Sequence, residues 1–239
     1  MNQGLTVITC LLAGDENIFE TADSLMDQAS GEVRWIIKYS VNKIPDSVLD
    51  LESRGGFVKV LGIDDKSFYS GLNQALNYLE TSFFVVVGSG DKFEPGMIGK
   101  LGKLLKKETQ FDALFLAAKN SRDGAIFRPR PNEIAMRMSC PHPGSVLRTD
   151  FVRALGGFDE KYLIASDYDL LSRYLKEHTR VAFSDEILLE YRAGGFSDRN
   201  RIDALLEEEL IRRRIWKCAA SDVVSKINNY AQWCTQKVS

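Results

Sequence analysis

The run Ser82-Phe83-Phe84-Val85-Val86-Val87, ended by Gly88-Ser89-Gly90-Asp91, constrains this chain more than any other stretch. Nearly every position of the run is bulky and apolar, so the strand it forms has no polar face to turn to water. It must be covered on both sides, which is the situation of a parallel strand between helical layers. The glycines then end the strand and place one carboxylate, Asp91, at its carboxyl end. Open α/β sheets bind their ligands at that edge.

The surrounding pattern agrees. Apolar runs at 5–12, 33–39, 57–61 and 111–118 read as strands, and residues 13–15 as the turn after the first of them. Helical spacing at 18–29 (Ile18, Ala22, Leu25, Met26, Ala29), 45–53, 67–79 and 95–107 fills the gaps, with Pro45 and Pro95 opening two of the helices. Strand and helix alternating in this way predict a mixed, mostly parallel α/β sheet with right-handed crossovers. Residues 120–143 break the rhythm. They hold Pro129, Pro131, Pro141 and Pro143, four of the six prolines, interspersed with Arg122, Arg128, Arg130 and Arg137. This is an irregular excursion expected to lie over the site rather than a linker. Beyond it come a strand at 145–147, a helix at 149–155, the turn Gly156-Gly157-Phe158-Asp159, a helix at 167–176 and two short strands at 181–183 and 187–191. From Arg201 two helices are expected, the first carrying Ile202, Leu205, Leu206, Leu210, Ile211 and Ile215 as an apolar stripe.

Composition narrows the function classes. Thirty-one basic against 33 acidic residues leave a net charge of −2, which argues against a general nucleic-acid binder. Cys10, Cys140, Cys218 and Cys234 show no C-x-x-C spacing and there are only two histidines, so neither a zinc site nor a disulfide framework is expected, and a reducing cytoplasmic setting is. The N-terminus lacks the basic start of a signal peptide, and no run is long and apolar enough to span a membrane.

Each acidic cluster has two readings on its residues alone. Asp91 can ligate Mg²⁺ or Mn²⁺ together with the oxygens of a bound diphosphate, or it can simply cap the segment that follows. Asp167 and Asp169, after Ser166, are either first-turn acids favoured by the helix dipole or the source of a general base. Two residues apart on a helix, they cannot face one point, so at most one is the base. In the stretch Asp64 to Asn73, Asp65 and Asn73 can bond a ribose or a base with Lys66 near phosphate. Alternatively the stretch is an acidic cap before an amphipathic helix whose Phe68 and Leu72 pack on the sheet. His142, between Pro141 and Pro143, cannot be mid-helix. It and the arginines of the excursion are either solvated or suited to an anionic acceptor.

The order of these clusters resembles the family 2 glycosyltransferases of GT-A fold, especially the bacterial enzymes of surface-polysaccharide assembly. Asp65-Lys66-x-x-Tyr69-x-x-x-Asn73 is similar to that group's D-K-G-x-Y-D-A-x-N segment, and Ser89-Gly90-Asp91 with Pro95-Gly96 to the S-G-D form of its metal-binding D-x-D motif. His142 through Arg148, Gly156 to Asp159 and Ala165-Ser166-Asp167-Tyr168-Asp169-Leu170 resemble the acceptor-side block that ends in the catalytic E-D-like motif. Tyr191-Arg192-x-Gly194-Gly195-x-Ser197 resembles the segment after it. The likeness runs from the first strand to Ser197. It implies a GT-A domain over 1–198 and a helical extension, packed on or appended to it, over 199–239.

By that resemblance Asp167 is the base of an inverting transfer, and Asp91 binds Mn²⁺ or Mg²⁺. Thr9, Tyr39, Asp65, Tyr69, Asn73, Ser89 and Gly90 would join Asp91 in holding a nucleotide-sugar donor, most simply a UDP-sugar. His142, Ser166, Gly194 and Gly195 would serve the acceptor or a phosphate, and the acceptor would be a saccharide or lipid-linked sugar. Three positions depart from the family pattern. Ala13 stands where an asparagine is usual, Tyr39 where an aspartate contacts the base, and Ser89 at the first acid of D-x-D. Tyr39 is expected to stack on the base instead. These departures also motivate a second reading, a catalytically inactive nucleotide- or partner-binding protein. A nucleotidyltransferase ranks below both, because no G-x-G-T-R-like loop follows the first strand. Arg212-Arg213-Arg214, Trp216 and Lys217 suit contact with the anionic cytoplasmic face of the inner membrane, or else a helix packed on the sheet with solvated arginines.

Overall fold

The computed structural model describes residues 2–29, 31–106, 111–177 and 180–217. One nine-stranded sheet organises them. Strands β1 (Asn2–Leu11), β2 (Val33–Tyr39), β3 (Val58–Gly62) and β4 (Thr81–Val86) pair in parallel, with β1 between β2 and β4. The sheet continues from β4 through β8 (Ser145–Arg148), β6 (Ala113–Asn120) and β9 (Val181–Tyr191) to the two-residue β5 (Lys92–Phe93), while β7 (Ile126–Phe127) pairs with β6 off this path. β8 is antiparallel to both neighbours, and β6 and β9 are parallel to each other. The carboxyl ends of β1, β2, β3, β4, β6 and β9 therefore all point to one edge, where the amino end of β8 also lies.

Strand periodicity divides the core in two. Leu5, Val7, Trp35, Phe83 and Val85 face a layer made by α1 (Ile18–Met26), α2 (Asp46–Arg54) and α4 (Met97–Leu105). Ile8, Ile36, Phe84 and Val86 face α3 (Phe68–Leu76), α5 (Thr149–Ala154), α6 (Ser166–Glu177) and α8 (Arg201–Trp216). Every residue of β4 is buried, as its unbroken apolar run demands. Each fully buried large side chain of this kind contributes about 1.5–3 kcal/mol.

Several sequence expectations are corrected. The two short strands expected at 181–191 form one strand, β9, whose register against β6 shifts between Phe115 and Ala118. The apolar stripe expected on the first tail helix is split between two faces: Ala204, Ile211 and Ile215 are buried, whereas Ile202, Leu206 and Leu210 are exposed. A four-residue helix, α7 (Phe196–Arg199), precedes α8, and the second tail helix expected lies outside the described residues. Phe68 is 44% exposed rather than packed on the sheet, while its partner Leu72 is fully buried. No described helix is long and apolar enough to cross a membrane.

The excursion is anchored by a close approach. Its 3-10 turn His142–Gly144 leads into β8, and a Cβ on Gly144 would lie 2.2 Å from the carbonyl oxygen of Leu116 in β6. Backbone cannot yield as a side chain end can. Gly144→Ala should therefore destabilise the protein by about 2 kcal/mol. Gly99→Ala, on exposed helix surface with nothing within 4 Å, should stabilise it by about 1 kcal/mol. Urea unfolding of the two variants checks both signs.

Candidate active site

The turn after β4 closes on itself. Asp91 is 5% exposed, its Oδ2 accepts from the amide of Gly88 at 2.8 Å, and its Oδ1 accepts from the amide of Arg192, just past β9, at 2.8 Å. Burial pushes this carboxyl up to about 6, against the two amide hydrogen bonds that pull it down. Gly90 has φ +87° and donates its amide to Thr21 Oγ1 in α1 at 2.9 Å. The Arg192 side chain crosses it so closely that a Cβ would meet Arg192 Cδ at 2.8 Å. Ser89 Oγ is buried with no hydrogen-bond partner among the described residues.

At the ends of β2 and β3 the structure sorts the residues expected to bind donor. Asp65 lies at the edge, gripped by Lys38, whose side chain is wholly buried. Lys38 Nζ donates to Asp65 Oδ2 at 2.6 Å and to the carbonyls of Ile63 at 2.6 Å and Tyr39 at 2.9 Å, so this charge is fully partnered. Tyr39, expected to stack on a base, presents no exposed ring face for one. Its ring is 3% exposed in the core, and its hydroxyl accepts from the Gly14 amide at 3.3 Å, bracing the turn after β1. Thr9 is likewise interior, accepting from Trp35 Nε1 at 3.2 Å. Asn73 is spent on the 157–160 turn: its amide group donates to Phe158 O and Glu160 Oε1, and its carbonyl oxygen accepts from Phe158 N.

The residues around Asp167 converge from four elements. Asp167 opens α6 with its side chain 22% exposed. Its Oδ1 accepts from the Tyr168 amide at 2.8 Å, and its Oδ2 lies 3.8 Å from His142 Nδ1. Tyr69, from the first turn of α3, donates its hydroxyl to Ile164 O at 2.6 Å and sits 3.4 Å from Asp167 Oδ1. Burial, then the neighbouring Asp167 charge, push that phenol well above its ordinary value. Burial outweighs Asp167 at His142 and lowers its pKa, which keeps the ring neutral at pH 7. Its edge packs on Phe158.

Asp169 has the opposite environment. It is fully buried between Arg173, at 2.8 Å, and Arg214 of α8, which anchors α6 and leaves it no access to a substrate. Ser166 is also fully buried, and its hydroxyl has no partner among the described residues, so it presents no surface for the expected acceptor contact. Gly194 gives its amide to Asp198 at 2.7 Å, and Gly195 precedes α7.

Three residues that the sequence reading passed over shape this edge. Lys38 fixes Asp65, and Arg192 fixes Asp91. Glu207 of α8 accepts from the amides of Leu163, Ile164 and Ala165 at 2.8–2.9 Å, holding the loop that delivers Asp167. Only the Arg192 position had a sequence signal, its place in the Tyr191–Ser197 segment.

Asp91 is the one carboxylate of this turn, so a divalent cation here would depend on the phosphates of a bound donor for most of its ligands. Among the described residues no three His, Cys, Asp or Glu side chains gather, and both oxygens of Asp91 accept from backbone amides. Asp91 has a pH consequence. Its folded pKa exceeds the ordinary 3.8, so the stability it lends is complete below about pH 4 and is lost as pH rises to about 6. Unfolding free energies of wild type and Asp91→Asn across that window should differ in slope, the variant being flatter.

No protein-family model and no curated protein matches the chain. Solved structures do. Staphylococcus aureus TarS superposes with a TM-score of 0.69 at 14% identity over 87% of this chain, and its residues 1–349 in complex with UDP give 0.69 at 15% identity over 94%. The mannosyltransferase PcManGT from Pyrobaculum calidifontis, in complex with GDP-Man and Mn²⁺, gives 0.69 at 14% identity over 91%. The chain spans 39% of the longer TarS chain, 68% of TarS 1–349 and 65% of PcManGT. At such identities the likeness is one of fold: the mixed, mostly parallel sheet with its two helical layers is the GT-A fold of glycosyltransferases.

Proposed function

We propose that this protein is a glycosyltransferase. It would take a nucleotide-sugar at the carboxyl edge of the sheet and pass the sugar to an acceptor hydroxyl in one inverting displacement. The observation that carries the reading is Asp167. It is a partly exposed carboxylate with one oxygen held by an amide and the other open beside His142, at the edge of a GT-A fold. The support for the donor class is that neighbours of the same fold hold UDP, UDP-GlcNAc and GDP-Man. In the step, the acceptor oxygen bonds to the anomeric carbon while the bond from that carbon to the diphosphate oxygen breaks. The electron pair stays on the diphosphate and the acceptor proton passes to Asp167. His142, neutral and close, keeps the open oxygen in a polar rather than a cationic setting. Tyr69 and Glu207 hold the loop from either side.

The acceptor we infer is a saccharide or lipid-linked sugar of bacterial surface-polysaccharide assembly, which rests on the motif resemblance alone. Divalent-metal use is supported by the Mn²⁺ in the mannosyltransferase complex. Here Asp91 would hold the ion together with the donor's phosphate oxygens, through lone pairs that its two amide hydrogen bonds leave free.

Asp167→Asn should lower turnover by about 10²–10⁴-fold while leaving nucleotide affinity near wild type, read by product formation and by calorimetry across UDP- and GDP-sugars. Near-normal turnover in that variant would remove Asp167 as the base. Nucleotide binding with no turnover for any donor or acceptor would favour a binding protein instead. Glu207→Ala frees three amides and should reduce kcat by more than it raises the donor KM, with a stability loss of about 2 kcal/mol in urea unfolding.

A further inference from the structure

Beside the 88–91 turn lies a cavity of about 250 Å³, lined in part by Gly90, Lys92, Arg122 and Arg192. Pockets that take whole small-molecule ligands run to about 300–1,000 Å³, so this one suits a charged fragment of a donor. Its cations converge. Glu20 of α1 bridges two of them, with Oε2 2.7 Å from Lys92 Nζ and Oε1 3.1 Å from Arg192 Nη1. All three side chains are about half exposed (42–51%), and pairs so exposed are weak and exchange readily.

The third cation is Arg122. Of the four arginines in the excursion, Arg128 and Arg130 pair with Asp185 and Arg137 with Glu133, whereas Arg122 has no carboxylate partner among the described residues. Its Nη2 lies 3.0 Å from where a Cβ on Gly194 would sit, and Arg192 crosses Gly90 in the same manner. The other acid of the cavity wall, Glu190, is already matched by Lys119 at 2.8 Å. Three cations thus face one exchangeable carboxylate.

We propose that Arg122, Arg192 and Lys92 form the diphosphate subsite of the donor, holding a nucleoside diphosphate with side-chain cations in place of a divalent ion. This rests on the donor reading above. The diphosphate takes the place of Glu20, and the planar guanidinium groups suit its oxygens bidentately. Arg192 then has two linked roles: its amide holds Asp91 Oδ1, and its side chain supplies positive charge to the cavity.

Calorimetry with UDP, GDP and inorganic pyrophosphate, each with EDTA or with Mn²⁺, tests this on the full chain. UDP or GDP should bind in EDTA within about threefold of its affinity with Mn²⁺, and pyrophosphate should compete. Arg192→Gln and Arg122→Gln should each weaken binding about tenfold or more, Glu20→Gln should tighten it, and Arg137→Gln should change nothing. Unchanged melting temperatures would show that the variants fold. Nucleotide binding that requires Mn²⁺, or that ignores both arginine variants, overturns the subsite and leaves the transferase reading intact. Pyrophosphate that binds without competing with UDP assigns the cavity to another anion and also overturns it. Absence of nucleotide binding under either condition removes both readings.

Discussion

Burial of β4 and its neighbours on both faces is the constraint on which the rest of the structure depends. A strand such as 81–86, buried at every position, commits the chain to helices above and below, and the two covers leave no exposed face on β4 for chemistry. Polar residues with work to do are therefore driven to the strand ends. Because β1 to β4, β6 and β9 run the same way, those ends fall on one edge. The turn after β4, the Lys38–Asp65 pair and the cations after β6 and β9 share that edge for that reason, although they are drawn from positions 38 to 192 of the chain.

Charge at this edge is divided between holding and acting. Lys38 and Asp169 are fully buried and fully matched, and a buried charge left without its partner is costly enough that such groups work as fixed clamps. Asp167, Arg122, Lys92 and Arg192 remain accessible, so their charge is available to a ligand. Asp91 stands between the two classes. It is buried without a cation, satisfied only by amides, and its raised pKa expresses that compromise.

The fold was legible because it rests on periodicity. The alternation of apolar runs and helical spacing requires only local reading, and it places β1 to β4 and α1 to α4 within a few residues of where they lie. The strand 181–191 was harder: Ser184, Asp185 and Glu186 look like a break, but β9 tolerates them by shifting register against β6. Asp65, Asp91, His142 and Asp167 could be placed at one edge from the sequence, since each follows or precedes an element with a clear signal. The sequence is silent where side-chain direction decides. Thr9 and Tyr39 sit at strand ends but point into the core, and Asn73 turns to a loop 85 residues away. Lys38 and Glu207 were invisible because an ordinary charged residue in a strand or helix gives no sign of a distant partner.

Glu207 carries a consequence for where the working unit ends. Every motif on which the resemblance to sugar-transfer enzymes rests ends by Ser197, yet the loop leading to Asp167 hangs by three amides from a carboxylate ten residues beyond that point, on a helix also pinned through Arg214 to Asp169. A fragment cut at the last motif would keep the whole signature and lose the strut beneath the loop that carries Asp167. The boundary drawn by resemblance and the boundary drawn by mechanics are therefore different, and the second includes α8.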